Sequence, residues 1–277
     1  MKTSSSFTDL VAEAGGVLTP TERRIAEAVL AEPTLLAFGT VSDLASRVAT
    51  SRPSVVRFAN KLGFDGYTQL QRLVRSDLSR RIARPSERIR SDDKTDLSVR
   101  GKIDGAIDSV FEAVEGQSMS SLVKPIVRAR NVWVLSGETS RAGAHAFHSG
   151  LSMVRPGVRM LEDRSIGSDL SSAAPGDVAV VFDFFRYRRL VATATEILSE
   201  SGVEIVAITD GPLSPLVELT DTWCEISVPA IGPFDSSVPV VAIAELLVSK
   251  VAKELHREAT ARIDRIEALW ETTEVFL

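Results

Sequence analysis

The sequence predicts an all-α domain followed by an α/β, flavodoxin-like domain with a five-stranded parallel sheet. Three observations carry this expectation. Residues 8–80 repeat their apolar side chains at helical spacing and hold no convincing strand. Beyond residue 130, short apolar runs alternate with helical stretches, the rhythm of a parallel sheet covered on both faces. The charge divides similarly: residues 1–90 carry 14 Lys/Arg against 9 Asp/Glu, a balance of +5, and the remainder carries −10. The expected organisation is a helical domain at 1–77, a connection at 78–104 and an α/β domain at 105–277.

Composition narrows the classes. With 44% hydrophobic and 25% charged residues the chain is not broadly disordered. No apolar run approaches the roughly 18 residues that span a bilayer, so no membrane partner is expected. The start MKTSSSFTDL lacks the apolar stretch of a secretion signal. The single Cys224 excludes an internal disulfide and a cysteine-based zinc site. A cytoplasmic location and no cofactor are expected.

The elements follow in order. Thr19-Pro20-Thr21-Glu22 is a capping box with proline at the first helical position, and Glu32-Pro33 ends that helix. A second helix starts near Thr40 or Ser42 and carries Leu44, Ala45 and Val48. A third begins after Ser51, turns Val55, Val56 and Ala59 inward, and stops at Leu62-Gly63. A longer helix runs from Tyr67 to Ile82. Charged, proline-containing residues 83–104 read as a linker. Helices are expected at 105–115 and 118–129. Strands follow at Val132–Leu135, Val158–Leu161, Val178–Phe182, Glu204–Thr209 and Trp223–Val228, with helices near 140–154, 187–200 and 236–270.

Residues 41–62 have the form of a helix-turn-helix. Ala49-Thr50-Ser51 forms the turn, Ser51 caps the second helix, and Pro53 sits where a missing N–H is tolerated. Its outward side chains have base-reading chemistry: Arg forks onto guanine, Asn onto adenine, and Ser contacts base or phosphate. Arg52, Ser54 and Arg57 are the candidates for base contact. Lys61, Arg72 and Arg75 would meet phosphates, and Val55 and Asn60 complete the DNA-facing set. An ordinary basic helical surface is the alternative.

The segments LTPTERRIAEAVL and VSDLASRVATSRPSVVRFANKLGFDGYTQL resemble the DNA-binding domain of the RpiR family of bacterial transcriptional regulators. The most specific part is SVVRFANKLGFDGY. The resemblance spans nearly the whole chain and implies a helix-turn-helix joined to a C-terminal SIS (sugar isomerase) domain. It implies a DNA-binding regulator with double-stranded operator DNA as partner and a homodimer or tetramer formed through the SIS domain.

In an open parallel sheet, ligands bind beyond the carboxyl ends of the strands. Ser136, Gly137, Glu138, Thr139 and Ser140 form the first such loop, and Ser140 opens a helix whose free N–H groups favour an anion. Phosphosugar-binding SIS domains carry S-x-S-G-x-T in the second loop. Here Asp183 and Phe185 stand for the serines, Arg186 for the glycine and Arg188 for the threonine, so every hydroxyl of that cradle is lost. Arg186, Arg188 and Arg189 offer forked cations for carboxylate or phosphate, with Asp183 and Tyr187 as further ligand contacts. The competing reading is an internal Asp–Arg network. The stretch from Thr209-Asp210 to Ser214-Pro215 reads mainly as architecture, with Ser214 capping a helix and Thr209 and Asp210 near the pocket rim. Residues 232–237 resemble a loop that closes over ligand. Glu245 falls where SIS isomerases carry a catalytic Glu, and is expected here as a pocket or surface carboxylate.

His145 and His148 share a helix three residues apart, but no carboxylate or cysteine set completes a metal site. The basic recognition helix and the lost hydroxyl cradle favour a non-enzymatic regulator sensing a small anionic effector; an SIS-fold sugar-phosphate isomerase and a DNA-binding protein whose SIS domain only dimerises are the alternatives.

Overall fold

The structure, a computed structural model, describes residues 7–276 apart from 15–17, 32, 83–84, 92–95, 116 and 213. It divides into two compact units, Met1–Arg88 and Ile89–Leu277.

The first unit is helical throughout: α1 (Phe7–Ala14), α2 (Pro20–Ala31), α3 (Pro33–Phe38), α4 (Val41–Arg47), α5 (Arg52–Lys61) and α6 (Tyr67–Ile82). Its core gathers Ile25, Val29, Leu36, Leu44, Val55, Phe58 and Leu70, all fully buried. Helix α3 is an addition to the sequence reading. Pro33 ends α2 but then serves as the first residue of α3, where its missing N–H costs nothing. The end of α3 is closed from α6. Tyr67 Oη donates to Gly39 O at 2.9 Å, and Gln71 Nε2 donates to Leu36 O at 3.0 Å and Gly39 O at 2.8 Å.

The described part of the expected linker is helical. It comprises the end of α6, α7 (Pro85–Ser91) and the start of α8 (Asp96–Ala113). Helix α9 (Gln117–Arg128) leads into the sheet. Strands β1 (Val132–Ser136), β2 (Val158–Met160), β3 (Val178–Phe182), β4 (Glu204–Thr209) and β5 (Trp223–Glu225) are all parallel, in the order β2-β1-β3-β4-β5. The five-stranded, flavodoxin-like expectation holds. Side chains alternate along β1: Val132 and Val134 enter one core with Phe147 and Leu247, while Trp133 and Leu135 enter the other with Leu198. Helix α10 (Arg141–Val154) covers the first face, and α12 (Arg189–Glu200) the second. A short helix, α11 (Ile166–Leu170), precedes β3.

At the amino ends of the strands, Asp177 is buried and pins β1 to β3. It accepts from Arg130 Nε at 3.0 Å, Asn131 Nδ2 at 3.0 Å, Trp133 Nε1 at 3.1 Å and the Ala174 N–H at 3.2 Å. Buried Arg155 donates to the carbonyls of Ile126 and Ala129, closing the end of α9.

The expected single helix 236–270 is two helices, α13 (Val238–Glu254) and α14 (His256–Thr272). The break at Leu255 brings α14 against α10, where Arg262 Nε and Nη2 donate to Ser152 O at 3.0 and 2.9 Å. Ahead of α13, β6 (Ala230–Ile231) and β7 (Phe234–Asp235) form a small antiparallel ribbon with Phe234 65% exposed.

Candidate functional site

The helix-turn-helix is built from caps outward. Thr40 Oγ1 accepts the Asp43 N–H at 3.2 Å, and the Asp43 carboxylate accepts the Thr40 N–H at 2.7 Å, a complete capping box for α4. Ala49 turns the chain at φ +48, and the Thr50 N–H reaches back to Ala45 O at 2.9 Å. Ser51 Oγ then accepts the Ser54 N–H at 3.3 Å and starts α5. The hydroxyls of Ser51 and Ser54 lie 2.9 Å apart, and Arg57 Nη2 donates to Ser54 Oγ at 3.1 Å.

Arg52, Arg57, Asn60, Lys61 and Arg72 are exposed, and Ser54 is half-buried. Lys61 Nζ is already paired with Glu22 Oε2 at 2.7 Å. The side chain of Arg75 lies outside the described residues. Val55 does not belong to the DNA-facing set: it is fully buried. The inner face of α5 is Val55, Phe58 and Ala59, and Val56 faces solvent. Positions three and four apart share a helix face, whereas Val56 is turned about 100° from Val55.

At the carboxyl edge of the sheet, the loops after β1 and β3 meet. These strands are neighbours, with Ser136 opposite Phe182, and their following helices leave to opposite faces, which opens a crevice between them. Ser136 and Thr139 are half-buried at its edge. Ser140 is fully buried, and its hydroxyl donates to Phe182 O at 2.5 Å and Gly137 O at 3.3 Å. That hydroxyl therefore ties the two loops together and does not face a ligand, contrary to the sequence expectation. Gly137 is required sterically: a Cβ there would lie 2.0 Å from Asp183 Oδ1.

The second loop is held by two carboxylates. Asp183 accepts the Phe184 N–H on Oδ1 and the Arg188 N–H on Oδ2, each at 3.1 Å. Asp210 accepts the Phe185 N–H at 3.0 Å and the Tyr187 hydroxyl at 2.5 Å. Burial pushes Asp183 up to about 7, and the nearby Asp210 charge adds to this against the two amides. Burial and Asp210 also raise Tyr187 above the usual phenol range. With Asp183 only 2% exposed and Tyr187 bonded inward, neither presents the free ligand contact expected from the sequence.

Arg186 stands at the loop apex, exposed, at φ +73. Arg188 lies across the mouth of the crevice. Its Nη1 is 3.3 Å from Glu138 Oε2 and its Nη2 is 3.4 Å from Asp163 Oδ2, while Arg141 Nη2 lies 3.0 Å from the same Glu138 oxygen. Beside it is a small cavity of about 20 Å³ lined by Ser136, Leu161, Asp163 and Leu190, among others. A larger hollow of about 190 Å³ opens at the amino ends of the strands, next to Asp177 and Arg128. Glu245 is exposed on α13, outside the buried set of Val240, Ile243, Ala244 and Leu247. Ser214 Oγ accepts the Leu216 N–H at 3.3 Å ahead of a single 3₁₀ turn, Val217–Leu219. Cys224 is buried, and burial raises its thiol to about 11. Among the described residues no group of three metal-binding side chains occurs. No helix there is long and apolar enough to cross a membrane.

Residues 8–81 match the helix-turn-helix domain of the rpiR family, and residues 126–250 match the SIS domain. The chain thus joins an rpiR-family helix-turn-helix domain to an SIS domain, the make-up of an HTH-type transcriptional regulator. It is 22% identical to an uncharacterized HTH-type transcriptional regulator of Caldanaerobacter subterraneus subsp. tengcongensis, over 93% of this chain and 95% of that one. It is 23% identical to the HTH-type transcriptional regulator HexR of Pseudomonas aeruginosa, over 84% and 85%. Among solved structures it superposes on the Vibrio vulnificus NanR protein complexed with ManNAc-6P with TM-score 0.56, 18% identity and coverage of 96% and 98%. The sugar isomerase domain of an RpiR transcription factor from Sphaerobacter thermophilus gives TM-score 0.59 at 22% identity, covering 62% of this chain and 97% of that one.

Proposed function

We propose that the SIS domain takes up a small anionic metabolite, a sugar phosphate or another organic anion, in the crevice between β1 and β3, and that uptake changes operator affinity. One observation carries the reading. The guanidinium of Arg188 spans the crevice mouth, bonded among the described contacts only to the exposed carboxylates of Glu138 and Asp163. Exposed pairs of this kind are worth less than about 1 kcal/mol, so a ligand anion can replace either carboxylate. The complex of the NanR relative with ManNAc-6P supports a phosphorylated sugar as one ligand to try. A ligand shifts operator binding only if it prefers one of two arrangements of the regulator. Screening phosphosugars, amino acids and organic acids by thermal shift identifies the effector. Combined replacement Arg186→Ala and Arg188→Ala is expected to abolish its effect on operator binding and to leave effector-free DNA binding intact. A normal response in that double variant places the pocket elsewhere. An absence of any effector response favours the reading in which the SIS domain only dimerises.

On the DNA side, α5 is proposed to enter the major groove. Arg57→Ala or Arg52→Ala is expected to cost about 1–3 kcal/mol and to blur base preference at particular operator positions. Arg72→Ala is expected to weaken binding to every sequence and to lower the salt slope by about one unit. Lys61→Ala should do so less, because Glu22 already neutralises that ammonium. Titrations across operator variants and salt concentrations separate these outcomes; a uniform loss for Arg57→Ala would move it to the phosphate group. A homodimer or tetramer, joined through the SIS domain in the cytoplasm, would present paired recognition helices to half-sites a helical turn or a multiple apart. Sedimentation that shows a monomer binding operator one to one excludes this.

A further inference from the structure

We propose that Asp183 is the built-in occupant of an anion seat at the floor of this crevice. As a specificity-determining residue, it keeps a ligand's phosphate or carboxylate out of the floor and confines it to the Arg188 mouth. The proposal rests on the reading of the crevice as the effector site, and it narrows which anions fit.

The seat is built from backbone. The N–H groups of Phe184 and Arg188 converge on one carboxylate, at 3.1 Å each. Arg188 is also the residue that opens α12, so its N–H belongs to the positive end of a twelve-residue helix. These two donors offset part of the cost of a buried negative charge, and the group that sits on them belongs to the chain itself. Its volume is filled as well as its charge. Asp183 is 2% exposed, and its Oδ1 abuts the bare Cα of Gly137 so closely that a methyl group would overlap it. Ser140 closes the same contact by bonding across to Phe182 O. The occupied shape is also fixed from beneath, since Asp210 grips the Phe185 N–H and the Tyr187 hydroxyl. A phosphate reaching the floor would have to break both amide bonds of Asp183 and displace its buried carboxyl group, and would meet the charge of Asp210. At the mouth, the same phosphate meets Arg188 with only exposed carboxylates to displace.

The test uses the full-length protein at about pH 8, where Asp183 is ionised, with inorganic phosphate as probe. Amide resonances of Phe184 and Arg188 are followed during the titration. In the wild-type chain these two signals are expected to stay in place while any response is confined to the side chain of Arg188. In Asp183→Ser, which empties the seat, phosphate should bind at least about tenfold more tightly and move both amides, as charge-assisted bonds to freed donors require. If that variant does not fold, Asp183→Ala, which likewise takes both acceptor oxygens off the amides, must show the same two amides moving. Saturable movement of the Phe184 and Arg188 amides in the wild-type chain overturns the proposal, as does a folded Asp183→Ser that gains no phosphate. Neither outcome involves operator DNA. A failure of effector sensing would leave the seat result standing, and a failed seat would leave effector sensing at the mouth intact.

Discussion

Replacing Asp177 by alanine is expected to destabilise the SIS domain by about 3–4 kcal/mol. The carboxylate is buried and satisfies the indole of Trp133, which is itself 1% exposed, together with Asn131 Nδ2 and the Ala174 N–H. Its removal strands these donors, at roughly 1–3 kcal/mol for each that water cannot reach. The Arg130 pair adds little, because that guanidinium is largely exposed. Asp177→Asn, which retains an acceptor for Trp133, should cost less. Urea denaturation followed by far-UV circular dichroism measures both. A loss below about 1 kcal/mol for the alanine variant would mean that the amino ends of β1 and β3 are held by the sheet alone.

The second large effect is a pH dependence of opposite sign to the usual carboxylate case. Burial, then Asp210, raises Asp183 to about 7, against the opposing amides and the charge of Arg188. A raised native value means that the folded chain holds the proton more tightly than the unfolded one. The associated stability is complete below the ordinary carboxylate range and is lost as pH rises through 7. Each unit corresponds to about 1.4 kcal/mol, so the span from 3.8 to about 7 amounts to about 4 kcal/mol, of which about 2–3 is lost between pH 5 and 8. Asp177 shifts the other way: despite its burial, hydrogen bonds from Arg130, Trp133 and Asn131 lower it, so its contribution fades only in more acid solution. Denaturation across this window should show the SIS domain weakening toward alkaline pH, and Asp183→Asn should flatten the curve. An unchanged slope in that variant would assign the effect to other groups.

The fold was legible because its signals are local. Capping boxes, proline positions and the two hydrophobic periods placed α2, α4, α5, α6 and all five strands of the main sheet. What escaped was set by contacts distant in the chain. Helix α3 depends on carbonyls capped from Tyr67 and Gln71, more than 25 residues away. The break at Leu255 leaves the helical period intact on both sides, so it becomes visible only when α14 folds onto α10. At the site, residue types identified the right loops but not the direction of their side chains. Ser140 and Asp183 were readable as ligand contacts because hydroxyl and carboxylate serve equally well inside a loop and toward a ligand. Only the pairing of Ser140 with Phe182 O, and of Asp183 with two amides, distinguishes these uses. Val55 illustrates the same limit: its place on α5 was clear, but its face depends on whether Val56 or Phe58 shares the core.

The separation into two units with independent cores also gives the chain an optical signature. All three tryptophans, Trp133, Trp223 and Trp270, belong to the second unit, whereas the first unit has Tyr67 as its only large absorbing ring. Intrinsic indole emission therefore monitors the SIS domain alone. Trp133, with the guanidinium of Arg159 5.4 Å from its ring, lies on β1, one strand in from the β2 edge, and Trp223 lies on the opposite edge strand. Unfolding of the SIS domain should alter this emission without any added dye, while melting of the helix-turn-helix should pass through the indole channel unseen and emerge only in the ellipticity.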